Sequence, residues 1–110
     1  MLICAYIGNS FSGNNDDAVV VDGNPLYFRG RRNLDAALAD ISANYGYSKA
    51  TKVLLSGCSA GGLSTFLHAD YVNSLLPASV IQYGAAPISG FFLDHTNVDG
   101  IQVALITLIR

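Results

Sequence analysis

Apolar residues fall in two rhythms along this chain, unbroken short runs and runs spaced three and four apart. Residues 1–7, MLICAYI, are apolar at nearly every position, the pattern of a parallel strand buried on both faces. Residues 8–25 are rich in Gly, Asn, Asp and Ser and are expected to be mostly loop. Over 31–44, Leu34, Ala37, Leu38 and Ile41 recur at helical spacing, and Tyr45-Gly46 follows as a stop. Residues 52–56 predict a second apolar strand. From 61 to 76, Leu63, Phe66, Leu67 and Leu75 suit a helix that Pro77 terminates. SVIQY, residues 79–83, predicts a third strand, and GAAPISG, residues 84–90, a loop. Residues 91–100 carry no clear period. The tail 101–110 fits a strand by its β-branched content or a helix by Ile101, Ala104, Leu105 and Leu108.

Strand, helix, strand, helix, strand in that order makes two βαβ units and a parallel sheet. The expected fold class is therefore α/β, about three parallel strands with flanking helices, in a single domain over residues 1–110. A sheet that narrow leaves its outer strands unpaired, which is thin for an independent fold.

Composition supports a folded chain. Of 110 residues, 51% are hydrophobic and 13% charged, far from a disordered composition. The net charge is −2 and the one basic concentration, Arg29, Arg31 and Arg32, is too small to argue for nucleic acid; a solvated helix start is the simpler use. Cys4 and Cys58 have no metal-ligand spacing and do not compel a disulfide, so no cofactor or metal is expected. Residues 1–7 lack a basic leader and a small-residue cleavage site, so no signal peptide is read there. The tail is too short to span a bilayer, and no membrane partner is expected.

The chemistry is concentrated in LLSGCSAGG, residues 54–62. Gly57-Cys58-Ser59-Ala60-Gly61 fits G-x-S-x-G, the nucleophile elbow, with a strand before it and a helix after. A serine hydroxyl attacks a carbonyl only when it is lifted clear of the backbone and a base takes its proton. A sharp strand-to-helix turn lifts it. Such a turn is expected to leave no room for side chains at Gly57 and Gly61, and Gly62 is expected to let the helix lie close to the sheet. The Ala60 N–H, at the start of that helix, is the expected oxyanion donor. The competing reading is a glycine-rich βα turn in which Ser59 merely caps the helix.

Neither histidine supplies an obvious base. His68 lies nine residues along the same helix, about 13 Å by the helical rise, and is expected to be structural or surface. His95 follows the third strand in a segment that can approach the elbow, but little chain remains after it for the order Ser, acid, His. Asp94 reads as a local turn or cap residue. The base and its acid are missing from this reading.

Further blocks carry a family resemblance. Gly57-Cys58-Ser59-Ala60-Gly61-Gly62 with Leu67-His68-Ala69-Asp70, preceded by Leu26-Tyr27-Phe28-Arg29-Gly30, resembles the pectin acetylesterase and Notum family. Ser10-Phe11-Ser12-Gly13 and Gly90-Phe91-Phe92-Leu93-Asp94 fall in the same order. The resemblance covers most of residues 3–94 and is far more specific than the elbow alone. It implies an α/β-hydrolase-like fold in a chain several times longer, of which this is a fragment. It also implies a Ser-Asp-His triad acting on O-acyl esters of a carbohydrate or a lipidated peptide. Ser59 matches the nucleophile and Ala60 the oxyanion residue beside it. The family's glycine-rich oxyanion segment lies upstream of its match to Met1, and its Asp and His lie downstream of its match to Arg110. An acetylated polysaccharide such as pectin is the implied substrate, and an extracellular or cell-wall location the implied setting. Three positions depart from the pattern: Tyr6-Ile7 stands for a usual Cys-Asp pair, Ala69 for a cysteine and Ile88 for an aspartate.

Two functions of different classes follow. The first is a serine carboxylic-ester hydrolase removing O-acetyl groups, with Ser59 as nucleophile. The alternative is a catalytically silent relative that keeps the fold as a binding or interaction module. An unrelated lipase-like hydrolase using His95 stands behind both.

Overall fold

The computed structural model describes residues 8–90, 92 and 95–101. The strand expected at 1–7, nearly all of the tail and Asp94 lie outside the described residues.

After a turn at Gly8–Phe11, the chain forms strands β1 (Val19–Val21) and β2 (Asn24–Leu26), helix α1 (Gly30–Asn44) and a short 3-10 turn at Tyr47–Lys49. Strand β3 (Lys52–Cys58), helix α2 (Ala60–Ser74) and strand β4 (Gln82–Ile88) follow. This is an α/β arrangement compatible with a piece of an α/β-hydrolase-like fold. Strands β3 and β4 are parallel, in register from Lys52 opposite Gln82 to Cys58 opposite Ile88, with α2 as the crossover.

Helix α2 covers one face of this pair. Its buried stripe is Gly62, Thr65, His68 and Val72, spaced three and four apart as one helix face requires. Val53, Leu55 and Tyr83, alternate residues of the two strands, are half-buried, and the Tyr83 hydroxyl donates to the Ala69 carbonyl of α2 at 2.8 Å. Leu54 points the other way and is 69% exposed. Among the described residues Val72 is the one buried hydrophobic side chain.

Helix α1 is held to α2 by side chains. The Arg31 guanidinium carbon lies 3.2 Å from the Tyr71 ring centroid, Arg31 Nε donates to Asp35 at 3.3 Å, and the Tyr71 hydroxyl donates to the same carboxylate at 2.7 Å. The basic cluster serves structure here: Arg29 donates to the Asp16 carbonyl at 2.6 Å, and Arg32 pairs with Asp16. Together they tie the loop before β1 to the start of α1.

One expectation needs correction. The third strand is not at 79–83 but at Gln82–Ile88, so GAAPI is strand and not loop, while Ile81 is 81% exposed ahead of it. Strand pairing outweighed residue preference there, because small residues fit against the neighbouring strand: a Cβ on Gly84 would meet Leu54 Cδ1 at an ordinary 3.6 Å. Pro87 is tolerated because the Ile88 carbonyl accepts from the N–H of Ser59, just past β3, so the position one residue earlier faces away from that ladder. Residues 8–25 are mostly loop and turn, as expected, but they also hold β1 and the start of β2, an antiparallel hairpin that turns through Asp22-Gly23, both at positive φ (49° and 78°). Of the three parallel strands expected, two form a parallel pair and the first lies outside the described residues; the hairpin is separate. The helices match closely; α2 ends at Ser74, just short of the expected 76.

Candidate active site

Strand β3 delivers the chain to Ser59 and α2 leaves from it, with no intervening residue. Turning that sharply forces Ser59 to φ 56°, ψ −117°, on the left-handed side that L residues avoid. Such a conformation costs on the order of 1–3 kcal/mol and persists only where the surroundings impose it. Here they do. The Ser59 N–H donates to the Ile88 carbonyl at the end of β4 at 2.9 Å, and the Leu63 N–H donates to the Ser59 carbonyl at 3.1 Å.

The glycines make the turn possible, though not all in the way expected. A Cβ on Gly57 would lie 2.3 Å from the Gly61 carbonyl oxygen, so that position admits no side chain. A Cβ on Gly62 would lie 2.8 Å from Gly90 Cα and 2.9 Å from the Ile88 oxygen, which seats the start of α2 directly on the turn after β4. Gly61 departs from expectation: a Cβ there meets nothing within 4 Å. Its part among the described residues is to bring bare backbone against Gly57.

Ser59 is exposed, and its hydroxyl makes no capping bond to α2. A capping serine would turn its oxygen back onto the N–H groups two or three residues on, so this geometry disfavours the inert-cap reading. The Ala60 N–H opens the first turn of a 15-residue helix and donates to no backbone carbonyl among the described residues. It combines a free donor with the positive end of the helix dipole, the arrangement that holds an anion. Ser89 stands at the matching place after β4, also at positive φ (49°) and exposed. Two left-handed serines thus sit side by side at the carboxyl ends of parallel strands, where ligands of open α/β sheets bind.

The candidate bases separate clearly. His68 is 5% exposed and lies against the turn at Gly8–Phe11, where its Nε2 donates to the Ser10 carbonyl at 2.9 Å. The Phe11 ring meets it edge-on at 6.5 Å between centroids. It is a structural histidine, as expected. His95 is exposed, and its Nδ1 donates to the adjacent Thr96 carbonyl at 2.6 Å; neither histidine hydrogen-bonds Ser59. Cys58, next to the nucleophile candidate, is an exposed free thiol.

The sequence reading missed Ser10, which is 8% exposed and donates its hydroxyl to the Ala60 carbonyl at 3.2 Å. Asn9, Ser10 and Phe11 all have positive φ, between 53° and 63°. Only Asn9 carries a signal for that conformation, since asparagine enters the left-handed region several-fold more readily than other residues. Ser10 and Phe11 carry none.

The family profile of pectinacetylesterase matches residues 3–107. The chain is 36% identical over 93 residues to pectin acetylesterase 7 from Arabidopsis thaliana, covering 84% of this chain and 23% of that protein. Pectin acetylesterase 11 from the same plant is 37% identical over 93 residues, with the same coverage. Pectin acetylesterase 4 is 40% identical over 70 residues, covering 64% of this chain and 17% of that protein. The chain thus spans 23% or less of the length of these relatives. No solved structure matches it.

Proposed function

The chain belongs to the pectinacetylesterase family, and from that premise we propose that it is the nucleophile-bearing segment of a serine carboxylic-ester hydrolase that removes O-acetyl groups from cell-wall pectin. The observation that carries the reading is the conformation of Ser59: strained, exposed, uncapped, and directly ahead of a helix N-terminus.

In the proposed reaction the Ser59 Oγ attacks the acetyl carbonyl while a base takes its proton. The carbonyl oxygen becomes an oxyanion, and the Ala60 N–H, fixed at the helix start, hydrogen-bonds it without having to reorganise. Collapse of the tetrahedral intermediate expels the sugar hydroxyl, protonated by the same base, and leaves an acetyl-Ser59 ester. Water, deprotonated by that base, releases acetate and restores Ser59. We assign the base and its orienting carboxylate to the longer chain that the family resemblance implies, along with the second oxyanion donor. The setting proposed for this reaction is the extracellular space or cell wall.

The test is acetate release from acetylated pectin by the complete polypeptide and by its Ser59→Ala variant. A loss of about 10³-fold or more in the variant, with its folding unchanged, is the expected outcome. Folded wild-type protein that binds acetylated pectin without releasing acetate would support the silent binding module instead.

A further inference from the structure

The turn at Gly8–Phe11 holds three consecutive residues in the left-handed region, Asn9 at 58°, Ser10 at 53° and Phe11 at 63°. None is glycine, so each conformation is unfavourable by itself, and the surroundings must enforce the set. What enforces it is α2. His68 Nε2 donates to the Ser10 carbonyl at 2.9 Å, the Ser64 hydroxyl reaches the same carbonyl at 3.3 Å, and the Phe11 ring sits edge-on to the imidazole. Because a carbonyl only accepts, the imidazole carries its proton on Nε2 here.

The coupling also runs back toward the nucleophile candidate. The Ser10 hydroxyl donates to the Ala60 carbonyl at 3.2 Å. Ala60 is the residue whose N–H faces the oxyanion under the proposed function, and its carbonyl and amide share one Cα. Fixing the carbonyl limits rotation about the Ala60 backbone and so the direction of that N–H. His68 and Ser10 are both buried, at 5% and 8% exposed, which shields the bond between them from water, while the Ser10–Ala60 bond is half-buried. Buried His68 and half-buried Ser64 therefore converge on one carbonyl, and the residue bearing it clamps the first turn of the helix.

We infer that His68 is a positioning residue for the oxyanion-binding amide of Ala60, acting through the Ser10 turn. It touches no reacting atom. Its work is to keep the left-handed turn closed so that the Ser10 hydroxyl holds the first turn of α2 in place. The inference rests on the reading of Ser59 as nucleophile and Ala60 as oxyanion donor, and it goes beyond that reading by naming what orients the donor.

The test measures kcat, KM and thermal midpoint for acetate release by the complete polypeptide carrying His68→Leu, His68→Gln, Ser10→Ala or Ser59→Ala. A misdirected donor weakens transition-state binding and leaves ground-state binding alone, so His68→Leu is expected to lower kcat about tenfold, short of the 10²–10³-fold cost of deleting an oxyanion donor. KM is expected to stay within about twofold of the parent, because the substrate-binding surface is untouched. His68→Gln, whose amide can still donate to the Ser10 carbonyl, is expected to recover kcat to within about threefold. Ser10→Ala removes a single hydroxyl and is expected to lower kcat in the same direction while the protein stays folded. Unchanged kcat in Ser10→Ala overturns the inference even if His68→Leu fails to fold. So does a folded His68→Gln no more active than His68→Leu. Retained turnover in Ser59→Ala would instead overturn the reading on which the inference rests.

Discussion

At Gly57 and Gly61 the elbow makes two opposite demands on residues of the same type. The Gly57 Cβ position lies inside the Gly61 backbone, at 2.3 Å from its carbonyl oxygen, and neither partner is a side chain that can swing away. Gly57→Ala is therefore expected to prevent the elbow from closing, destabilising the complete protein by about 3 kcal/mol or more and abolishing activity. Gly61 has open space at its Cβ and lies within the first turn of α2. Gly61→Ala is expected to leave the fold intact and to shift stability by less than about 1 kcal/mol, in the favourable direction that alanine gives inside a helix. Urea unfolding of the two variants separates these outcomes. Equal damage from both would mean that the space beside Gly61 is filled in the complete protein.

Burial sets the pH response of two tyrosines. Loss of solvent raises the Tyr47 phenol above its ordinary value, and Tyr83 rises by burial first, then by the charges of Tyr47 and Asp70. For an acid whose folded-state pKa is raised, stability is fully present below the unfolded pKa of about 10 and declines as pH rises beyond it. Thermal midpoints of the complete protein are thus expected to hold between pH 8 and 9.5 and to fall above about pH 10. Tyr83→Phe should flatten part of that fall, at the cost of its bond to the Ala69 carbonyl.

At the scale of elements, α1 and α2 share few contacts beyond the cluster of Arg31, Asp35 and Tyr71. Tyr71 does two things in it, lying under the Arg31 guanidinium and donating to Asp35. Hydrogen-bonding interaction with Tyr71 first, and with Asp35 after it, raises the Arg31 guanidinium above its ordinary value against the smaller opposing effect of burial. Tyr71→Phe keeps the ring and loses the donor, and is expected to cost about 0.5–1 kcal/mol by denaturant unfolding; Tyr71→Ala, which also loses the ring, should cost more.

The helices and β3 were legible because each has its own signal: periodic Leu, Ala and Ile with a Tyr45-Gly46 stop, or an apolar run ending in glycines. Strand β4 was not, because Gly84, Ala85, Ala86 and Pro87 each disfavour strand by preference and only pairing with β3 makes them one. The hairpin is a different case. VVVDGNPL holds its own turn in Asp22-Gly23, and the strongest short-range hairpin signal was outweighed by the polar composition around it. At the elbow, strand, serine and helix were readable from spacing, since the turn is wholly local. The contacts of His68 with Ser10 were not, because they join residues 58 apart in sequence.

At the scale of the whole molecule, the parallel pair is covered on one face by α2, while Leu54, Ile81 and Ile88 stand 69%, 81% and 55% exposed and Val20 in the hairpin 67%. An isolated segment of residues 1–110 would carry those surfaces into water, and large contiguous apolar exposure promotes association. The segment alone is expected to bind a hydrophobic dye such as ANS and to unfold without a sharp cooperative transition. It is also expected to show no efficient esterase turnover, since general-base assistance of about 10²–10⁴-fold has no source within the site described. Ser59-dependent turnover by the isolated segment at ordinary esterase rates would point back to His95 as the base.

The central claim is that Ser59 is the nucleophile, and covalent trapping tests it most directly. The complete polypeptide is treated with a fluorophosphonate, which reacts with activated serines and leaves a stable phosphonyl adduct, and is then digested and mapped by mass spectrometry. The account predicts one adduct, on the Ser59 side chain, appearing in step with the loss of acetate release and absent from the Ser59→Ala variant. Full inactivation with the adduct on another residue, or a folded and active enzyme that leaves Ser59 unlabelled, would contradict it.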